Sequence, residues 1–402
     1  MQRRDFLTRS LVTGLATGTL TSTAGAEEKT VQGPAMGGAA VVSGPAPESL
    51  SILHPVRRPA TGFLEIAVGD EPFRRVDAED DGLLAFAEHV LKFRVPPLPA
   101  GAQVKYRVTV VPIDYQNAYK IVRGEPETSA ERTFRTLDPA ARETRFVVWN
   151  DTHENQETIA AVHSQTAPLK PDFLLWNGDQ TNDIYSPAKM SNQYLAPGGL
   201  AISAEWPLAY VRGNHDVRGP AARHLPEFTG TPEDRFYYWF RSGPVAAVVL
   251  DTGEDKIDEH PVFGGLAAFA AMRERQTRWL AEVIKEPGFR QAPYRILFCH
   301  IPLFWTHESP AEGPWNSSAL CRDAWVPLLT QAGVQLIVSG HTHRHAWLPA
   351  NGDRAIGQLV GGGPKTAAAT FIEGHAGPER CRLTMRDLKG TVLETVELKP
   401  TA

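Results

Sequence analysis

Residues 145–153 read Arg-Phe-Val-Val-Trp-Asn-Asp-Thr-His, a mostly apolar run followed directly by a carboxylate and an imidazole. The run has the length and the β-branched and aromatic content of a buried strand. Helical patterns occupy residues 154–168, 266–286 and 319–332, and strands that alternate with helices predict an α/β layered domain. Polar residues of the same kind follow four further apolar runs, as Asn177-Gly178-Asp179-Gln180, Arg212-Gly213-Asn214-His215-Asp216, Cys299-His300 and Ser339-Gly340-His341-Thr342-His343.

These polar residues stand where the strands end, and the carboxyl ends of strands in one sheet meet at a common edge. Carboxylate oxygen, amide oxygen and imidazole nitrogen together suit borderline-hard divalent metals. Each motif alone is weak evidence, because a single Asp can cap a helix and a single His can be hydrogen-bonded within a core. The ordered set predicts a metal site, and Gly178, Gly213 and Gly340 are expected to let the backbone turn tightly before a ligand.

The first part of the chain has a different pattern. The chain has 402 residues, and single hydrophobic cores stop growing at roughly 250 to 300 residues, so two domains are expected. Short alternating runs such as 63–68 and 104–111 lie between turns that contain Pro and Gly, and they predict a small antiparallel sandwich. We therefore predict an all-β sandwich domain at 27–140, followed by the α/β domain at 141–402.

Residues 1–26 are predicted to be a cleaved export signal. Arg3 and Arg4 precede Phe6-Leu7, a mildly apolar stretch follows, and Ala24-Gly25-Ala26 closes the segment. The stretch is too short and too polar for a membrane span. It resembles a twin-arginine signal, which implies an exported protein, periplasmic or extracellular, with no membrane span.

Composition excludes several classes of protein. Hydrophobic residues make up 42% and charged residues 22% of the chain, as in a globular protein. A net charge of -5 without long runs of one sign argues against nucleic acid as a dedicated partner. The three cysteines show no C-x-x-C spacing, and the signatures of P-loops, serine hydrolases and zincins are absent.

The ordered motifs D-x-H, G-D, G-N-H-D, H and G-H-x-H, spread over residues 145–364, resemble those of the calcineurin-like metallophosphoesterase superfamily. With a small β-sandwich in front, the arrangement is similar to the purple acid phosphatases and their bacterial relatives. The segment 93–110 resembles the late strands of a fibronectin type III-like domain. The resemblance implies a fold in which a metallophosphoesterase β-sandwich is flanked by helices, an α/β or layered α+β class.

The resemblance also implies roles for individual residues. His215 would face the leaving group, and Asp216 would orient or polarise it. The cofactors implied are two divalent or mixed-valence metal ions, with Fe, Mn and Zn all compatible with the ligands. The implied metal ligands are Asp151, His153 and His343 at one metal, Asn214, His300 and His341 at the second, and Asp179 bridging the two.

Two positions depart from the purple acid phosphatase pattern. That family lacks the His of D-x-H and carries a Tyr three residues after the bridging Asp, whereas this chain keeps His153 and has Asn182. A ferric-tyrosinate colour is therefore not expected from that position. Other members of the superfamily carry an Asp there, and here the acid, Asp183, comes one residue later. The roles of Asn182 and Asp183 stay open.

The implied activity is hydrolysis of a phosphate ester by a hydroxide that bridges the two metals, with His215 protonating the departing oxygen. The substrate would be a phosphorylated small molecule or polymer. A phosphodiesterase acting on cyclic nucleotides, nucleotides or phospholipid-derived diesters is the nearer alternative, and a non-catalytic surface-binding module is the other. The sequence leaves the oligomeric state open.

The sequence predicts the substrate pocket less clearly than the metal ligands. Trp305, His307 and Trp315 lie in a loop after His300, and Tyr185 and Tyr194 lie in a polar insertion. These aromatic residues either stack on an aryl or nucleoside leaving group or simply close the loops onto the domain. Three arginines near the motifs are candidates for binding a second phosphate, namely Arg212, Arg218 and Arg344. Arginines are also common on protein surfaces without such a role.

Overall fold

The computed structural model describes residues 33–46, 48–304 and 316–401. The predicted export signal at 1–26 and the aromatic residues 305, 307 and 315 lie outside the described residues. The strands are β1 (Val41–Ser43), β2 (Ser51–Pro55), β3 (Ala60–Val68), β4 (Arg74–Asp77), β5 (Glu79–Asp80), β6 (Leu83–Leu84), β7 (Val90–Arg94), β8 (Gln103–Asn117), β9 (Lys120–Arg123), β10 (Glu127–Thr128), β11 (Arg132–Arg135), β12 (Thr144–Trp149), β13 (Phe173–Asn177), β14 (Leu208–Val211), β15 (Tyr238–Ser242), β16 (Val245–Leu250), β17 (Tyr294–Cys299), β18 (Leu336–Ser339), β19 (Ala346–Leu348), β20 (Gly357–Val360), β21 (Thr370–Ala376), β22 (Cys381–Asp387) and β23 (Val392–Leu398).

The helices lie between the later strands. The α-helices are α1 (Gln156–Thr166), α2 (Pro187–Met190), α3 (Phe269–Val283), α4 (Pro287–Arg290) and α5 (Ser317–Gln331). A π-helical turn follows α2 at Ser191–Leu195. The 3-10 turns are Ala167–Leu169, Pro197–Gly199, His215–Val217, Ala222–Phe228, Pro232–Asp234 and Pro261–Phe263.

Two large sheets face each other in the C-terminal part. One runs in the order β23-β22-β21-β12-β13-β14-β1-β2-β7, and the other in the order β15-β16-β17-β18-β20-β19. Phe146 and Phe173 of the first sheet and Phe298 of the second belong to one buried core between them. Helix α1 covers the outer face of the first sheet, and α3 and α5 cover the outer face of the second. The predicted β-sandwich flanked by helices is confirmed.

Strand β12 shows how the sequence produces this layering. Phe146 and Val148 point into the core between the sheets, whereas Val147 and Trp149 point outward to the helix side. Alternate side chains of a strand lie on opposite faces, so a strand covered on both faces must be apolar throughout. That is why the run reads as continuous rather than alternating.

The N-terminal part is rich in β-strands, as predicted, and its strands divide among three sheets, of which the smallest is the pair β5 and β6. Strands β3, β4 and β8 to β11 form a six-stranded sheet of their own. Strands β1, β2 and β7 instead extend the large sheet, where Ser43 of β1 pairs in parallel with Leu208 of β14. The boundary between residues 140 and 141 stays a prediction. In the part of the chain that the structure describes, no helix has the length and apolar character needed to cross a membrane.

Helix boundaries differ slightly from the predicted ones, and local contacts explain where two of them begin. Helix α1 begins after Asn155, whose side chain accepts a hydrogen bond from the Thr158 main-chain N–H. Helix α3 begins at Phe269 instead of residue 266, and the Phe269 N–H donates to the Asp258 carboxylate at 2.8 Å. Strands β22 and β23 pair antiparallel as a hairpin.

Candidate metal centre

The polar loops that follow β12, β13, β17 and β18 converge at one edge of the sandwich. Ligand atoms of Asp151, His153, Asp179 and His343 all lie within 4.8 Å of one another. A second group, also within 4.8 Å, consists of Asp179, His300 and His341. Asn214, after β14, joins this second group because its side-chain oxygen lies 2.9 Å from Nδ1 of His341. The structure thus brings all seven predicted ligands together, with Asp179 common to both groups.

In the first group, imidazole nitrogens face carboxylate oxygens. Nε2 of His153 lies 3.2 Å from Oδ2 of Asp179 and 3.0 Å from Nε2 of His343. Nε2 of His343 is 3.8 Å from Oδ1 of Asp151. On its other side, Nδ1 of His153 lies 3.1 Å from the side-chain oxygen of Asn182. A histidine that donates through Nδ1 presents Nε2 as a lone pair, which is the state a metal ligand needs.

In the second group, His300 is held in the same way as His153, and its side chain is more deeply buried. His300 is 0% exposed, and its Nδ1 lies 2.9 Å from the main-chain carbonyl of Asn177. Its Nε2 lies 3.1 Å from Oδ2 of Asp179. The backbone of strand β13 therefore fixes the ring of His300 so that Nε2 points at the shared carboxylate.

The ligand loops hold unusual backbone conformations. Five of the ligands have φ between 44° and 70°, the left-handed region that disfavours residues with a Cβ. Such strain, of order 1 to 3 kcal/mol per residue, clusters at functional sites. The residues concerned are Asp151, His153, Asp179, His341 and His343.

Glycines allow the loops to approach each other. Gly178 has φ of 84°, as a tight turn requires. Gly213 and Gly340 were predicted to allow tight turns, but the structure gives a different reason for glycine at these positions. The carboxylates of Asp179 and Asp151 lie so close to them that no side chain fits. A Cβ at Gly340 would lie 2.3 Å from Oδ2 of Asp151, and a Cβ at Gly213 would lie 2.2 Å from Oδ1 of Asp179.

Burial and neighbouring charges shift the pKa values of the buried ligands. Burial raises the pKa of Asp151 to about 7, although the nearby His300 acts in the opposite direction. Burial would also raise the pKa of Asp179, but His300 and His153 hold this pKa well below its usual range. Burial lowers the pKa of His300, but the carboxylates of Asp179 and Asp151 outweigh burial and raise it to about 10. Two buried carboxylates therefore depend on a cation between them.

The residues fit a bound metal. Oδ2 of Asp179 and Nε2 of His300 are buried, and neither makes a hydrogen bond of acceptable geometry within the described ranges. Buried polar atoms without partners are rare and call for an explanation such as an ion. Imidazole, carboxylate and amide donors are the set that Mn, Fe and Zn accept, and a cation among them would satisfy both atoms.

His215 lies at the edge of the cluster. Its main-chain N–H donates to Oδ1 of Asp179 at 2.9 Å, and its ring centroid is 4.7 Å from that of His153. Nδ1 of His215 lies 2.8 Å from the main-chain carbonyl of Asn182, and Nε2 lies 2.9 Å from Nη1 of Arg218. The ring is thus oriented by Asn182 and Arg218.

Asp216 has different partners from those predicted. Its carboxylate accepts hydrogen bonds from the main-chain N–H groups of Asp179, Gln180 and Gly213, and from the Tyr194 hydroxyl. The expectation that it orients the His215 ring is therefore corrected: Asp216 ties together the loops that carry the ligands. Tyr194 is buried beneath the site as part of this contact.

The two open positions separate in the structure. Asn182 contacts both His153 and His215, as described above, so it joins the cluster to the neighbouring histidine. Asp183 instead pairs with Lys189 at 2.7 Å, away from the ligands. The sequence did not predict the role of Asn182. Its contact with His215 is made by its main-chain carbonyl, and every residue type carries such a carbonyl.

Residues 144–345, half of the chain, match the calcineurin-like phosphoesterase family. The chain belongs to this family. The matched range contains every ligand candidate of both groups, together with His215 and Asp216. The family assignment and the convergent strand ends therefore concern the same residues.

Among curated relatives, this chain is similar to the serine/threonine-protein phosphatase CPPED1 of Mus musculus, with 28% identity over 173 residues. The same protein of Homo sapiens is 29% identical over 182 residues. These alignments cover 42% and 44% of this chain and 49% and 50% of the relatives, so the chain matches about half the length of the curated relatives.

Two solved structures share the fold of this phosphoesterase over most of its length. Purple acid phosphatase PPD1 from yellow lupin (Lupinus luteus) seeds has a TM-score of 0.65 at 12% identity, covering 90% of this chain and 74% of that chain. The structure of PhoD has a TM-score of 0.59 at 11% identity, covering 90% and 92% of the two chains. At these identities the likeness supports the fold, including the β-rich N-terminal part.

Proposed function

We propose that the chain is a metal-dependent phosphoesterase that hydrolyses phosphate esters at a binuclear centre. The observation that carries the proposal is the buried carboxylate of Asp179, which is common to two groups of metal-type ligands. Asp151, His153 and His343 would hold one ion, and Asn214, His300 and His341 would hold the other. Fe, Mn or Zn would suit these ligands.

When bound, divalent ions would neutralise the phosphoryl oxygens and lower the pKa of a water molecule enough to supply a nucleophile at neutral pH. The chain itself supplies the orientation. Oδ2 of Asp179 faces both groups, at 3.2 Å from Nε2 of His153 and 3.1 Å from Nε2 of His300. Asn214 would add an oxygen ligand without adding charge. His215, whose ring is oriented by Asn182 and Arg218 at the edge of the cluster, would protonate the departing oxygen.

Phosphate monoesters are our first choice of substrate class. The curated relatives are named serine/threonine-protein phosphatases, and the structural neighbour from lupin is a purple acid phosphatase. A phosphodiesterase remains the alternative, and a direct comparison separates the two.

The test is hydrolysis of an aryl phosphate and a bis-aryl phosphate side by side, after reconstitution with Mn, Zn or Fe. We expect the monoester to be turned over faster, and Asp179→Asn to lose both metal and activity. Asp183→Asn is the matched control, because Asp183 pairs with Lys189 outside the cluster. A fully metallated protein that hydrolyses neither ester would contradict the proposal and favour a binding role.

We also propose that the protein is exported by way of residues 1–26. The support is the sequence alone, with Arg3 and Arg4 before an apolar stretch and a small-residue site at 24–26. Replacing both arginines by lysine should trap the uncleaved precursor in the cytoplasm. The measurement is cell fractionation with mass determination of the mature chain, and unchanged export of the variant would count against a twin-arginine route.

A further inference from the structure

A cavity of about 660 Å³ opens beside His215. Arg218 links the cavity to His215, because it lines the cavity and its Nη1 lies 2.9 Å from Nε2 of His215. The cavity therefore begins one side chain away from the group that would face the departing oxygen. A volume of this size lies within the range of about 300 to 1,000 Å³ that is usual for small-molecule sites.

One part of the cavity wall is apolar and exposed to solvent. Val262 is 67% exposed, Leu266 is 75% exposed and Tyr185 is 68% exposed, and all three line it. Phe263 and Phe269 add two rings whose centroids are 6.3 Å apart. Scattered exposed apolar residues need no explanation, but several around one concavity mark a place where an apolar group binds.

The charges of the cavity are mostly compensated. Arg218 and Lys256 form ion pairs with Glu254 and Asp255. Arg223, on the rim, adds one exposed positive charge. A neutral group therefore fits the interior better than a second phosphate. The planar guanidinium of Arg218, like the rings of the wall, offers a flat surface to an aromatic ring.

We propose that this cavity receives the leaving group, and that the substrates are phosphate esters of alcohols bearing an aromatic ring system. The proposal rests on the phosphoesterase function proposed above. It assigns specificity to the segment 262–269 and to Tyr185, which lie outside the ligand loops. An aromatic group placed there would cover the exposed side chains of Val262 and Leu266 while its ester oxygen faces His215.

The experiment compares kcat/KM for 2-naphthyl phosphate and phenyl phosphate in the Mn-loaded protein, because the two phenols are similar in acidity and differ in apolar area. We expect the wild type to prefer the naphthyl ester. Leu266→Ser should reduce this preference by about three- to tenfold, since an apolar contact of this size is worth that much. Leu83→Ser is the matched control, because Leu83 is 77% exposed and lies in β6, outside the cavity.

Three outcomes would contradict the proposals in different ways. An unchanged preference in Leu266→Ser, with both esters hydrolysed, would overturn the cavity assignment. If Leu266→Ser reduced the preference for hexyl phosphate over methyl phosphate by the same factor as the preference for the naphthyl ester, the cavity would select for apolar bulk. That result would overturn the aromatic assignment. If the loaded wild type hydrolyses none of these esters, the phosphoesterase function itself is contradicted.

Discussion

The carboxylate of Asp216 accepts a hydrogen bond from the main-chain N–H of Asp179 at a distance of 2.9 Å. The same carboxylate accepts from the N–H of Gly213 at 2.8 Å and from the Tyr194 hydroxyl at 2.7 Å. Asp216 is 0% exposed. Because Gly213 directly precedes Asn214, one buried side chain holds two ligand loops at a fixed separation.

Asp216→Asn should therefore weaken metal binding. The amide would turn an N–H₂ group toward main-chain donors that need an acceptor, which loosens the loops of Asp179 and Asn214. Loss of a residue that supports metal ligands typically weakens metal affinity about 10- to 100-fold. Metal titration followed by elemental analysis measures the effect. Wild-type affinity combined with a reduced kcat would instead return Asp216 to the role of assisting His215.

His215→Ala should behave in the opposite way, with metal content unchanged and kcat reduced by about 10² to 10⁴. Its ring contacts Asn182 and Arg218, and its bond to Asp179 uses the main-chain N–H that alanine keeps. The loss should be larger for an alkyl phosphate than for 4-nitrophenyl phosphate, because a poor leaving group depends more on protonation. Metal loss equal to that of Asp179→Asn would show that His215 is itself a ligand.

Much of the centre could be predicted because each ligand follows a strand. Strand ends are a local property of sequence, and parallel pairing aligns them within each sheet, as with Val148 of β12 opposite Leu175 of β13. The ligand-bearing strands nevertheless belong to two sheets, β12 to β14 in one and β17 and β18 in the other, whereas the sequence predicted the edge of a single sheet. The same rule also selects Asp251, after β16, yet that carboxylate pairs with Arg212 and lies outside both ligand groups. Position at a strand end is therefore informative without being sufficient.

The direction of side chains within a loop could not be predicted. His215 and Asp216 are neighbours in a 3-10 turn, where successive residues are rotated by about 120°, so their side chains point to different surroundings. The same limit applies to β1, whose three residues give no sequence signal that they pair with β14 of the other half of the chain. Both features depend on tertiary contacts between distant segments.

Gly340→Ala should abolish metal binding by a steric route. A Cβ at this position would lie 2.3 Å from Oδ2 of Asp151, well inside contact distance. The carboxylate would have to move away from His343 and His300, which it faces at 3.8 Å. Gly352→Ala is the control, because a Cβ there meets no atom within 4 Å. Equal metal content in both variants would show that the loop yields without disturbing Asp151.

The buried side chain of His54 leads to a prediction about how the free energy of unfolding depends on pH, independently of any metal. Its side chain in β2 is 0% exposed, and within the described ranges neither ring nitrogen has a hydrogen-bond partner. Burial lowers its pKa from 6.5 to about 4. Above pH 6.5 the ring is neutral in both the folded and the unfolded chain, so it adds no pH dependence there. Between pH 6.5 and 4 the unfolded chain binds the extra proton, so stability falls by about 3 kcal/mol across this window.

His54→Leu removes the titrating group and also two unsatisfied buried nitrogens, so it should leave stability at pH 7.5 equal or higher. The difference in unfolding free energy between variant and wild type should then grow in favour of the variant as pH falls from 6.5 to 4. Urea unfolding of both proteins at several pH values measures this difference directly, with the exposed His224→Leu as control. A difference that stays constant with pH would mean that His54 is hydrated in the folded protein, because only a dry imidazole has so low a pKa.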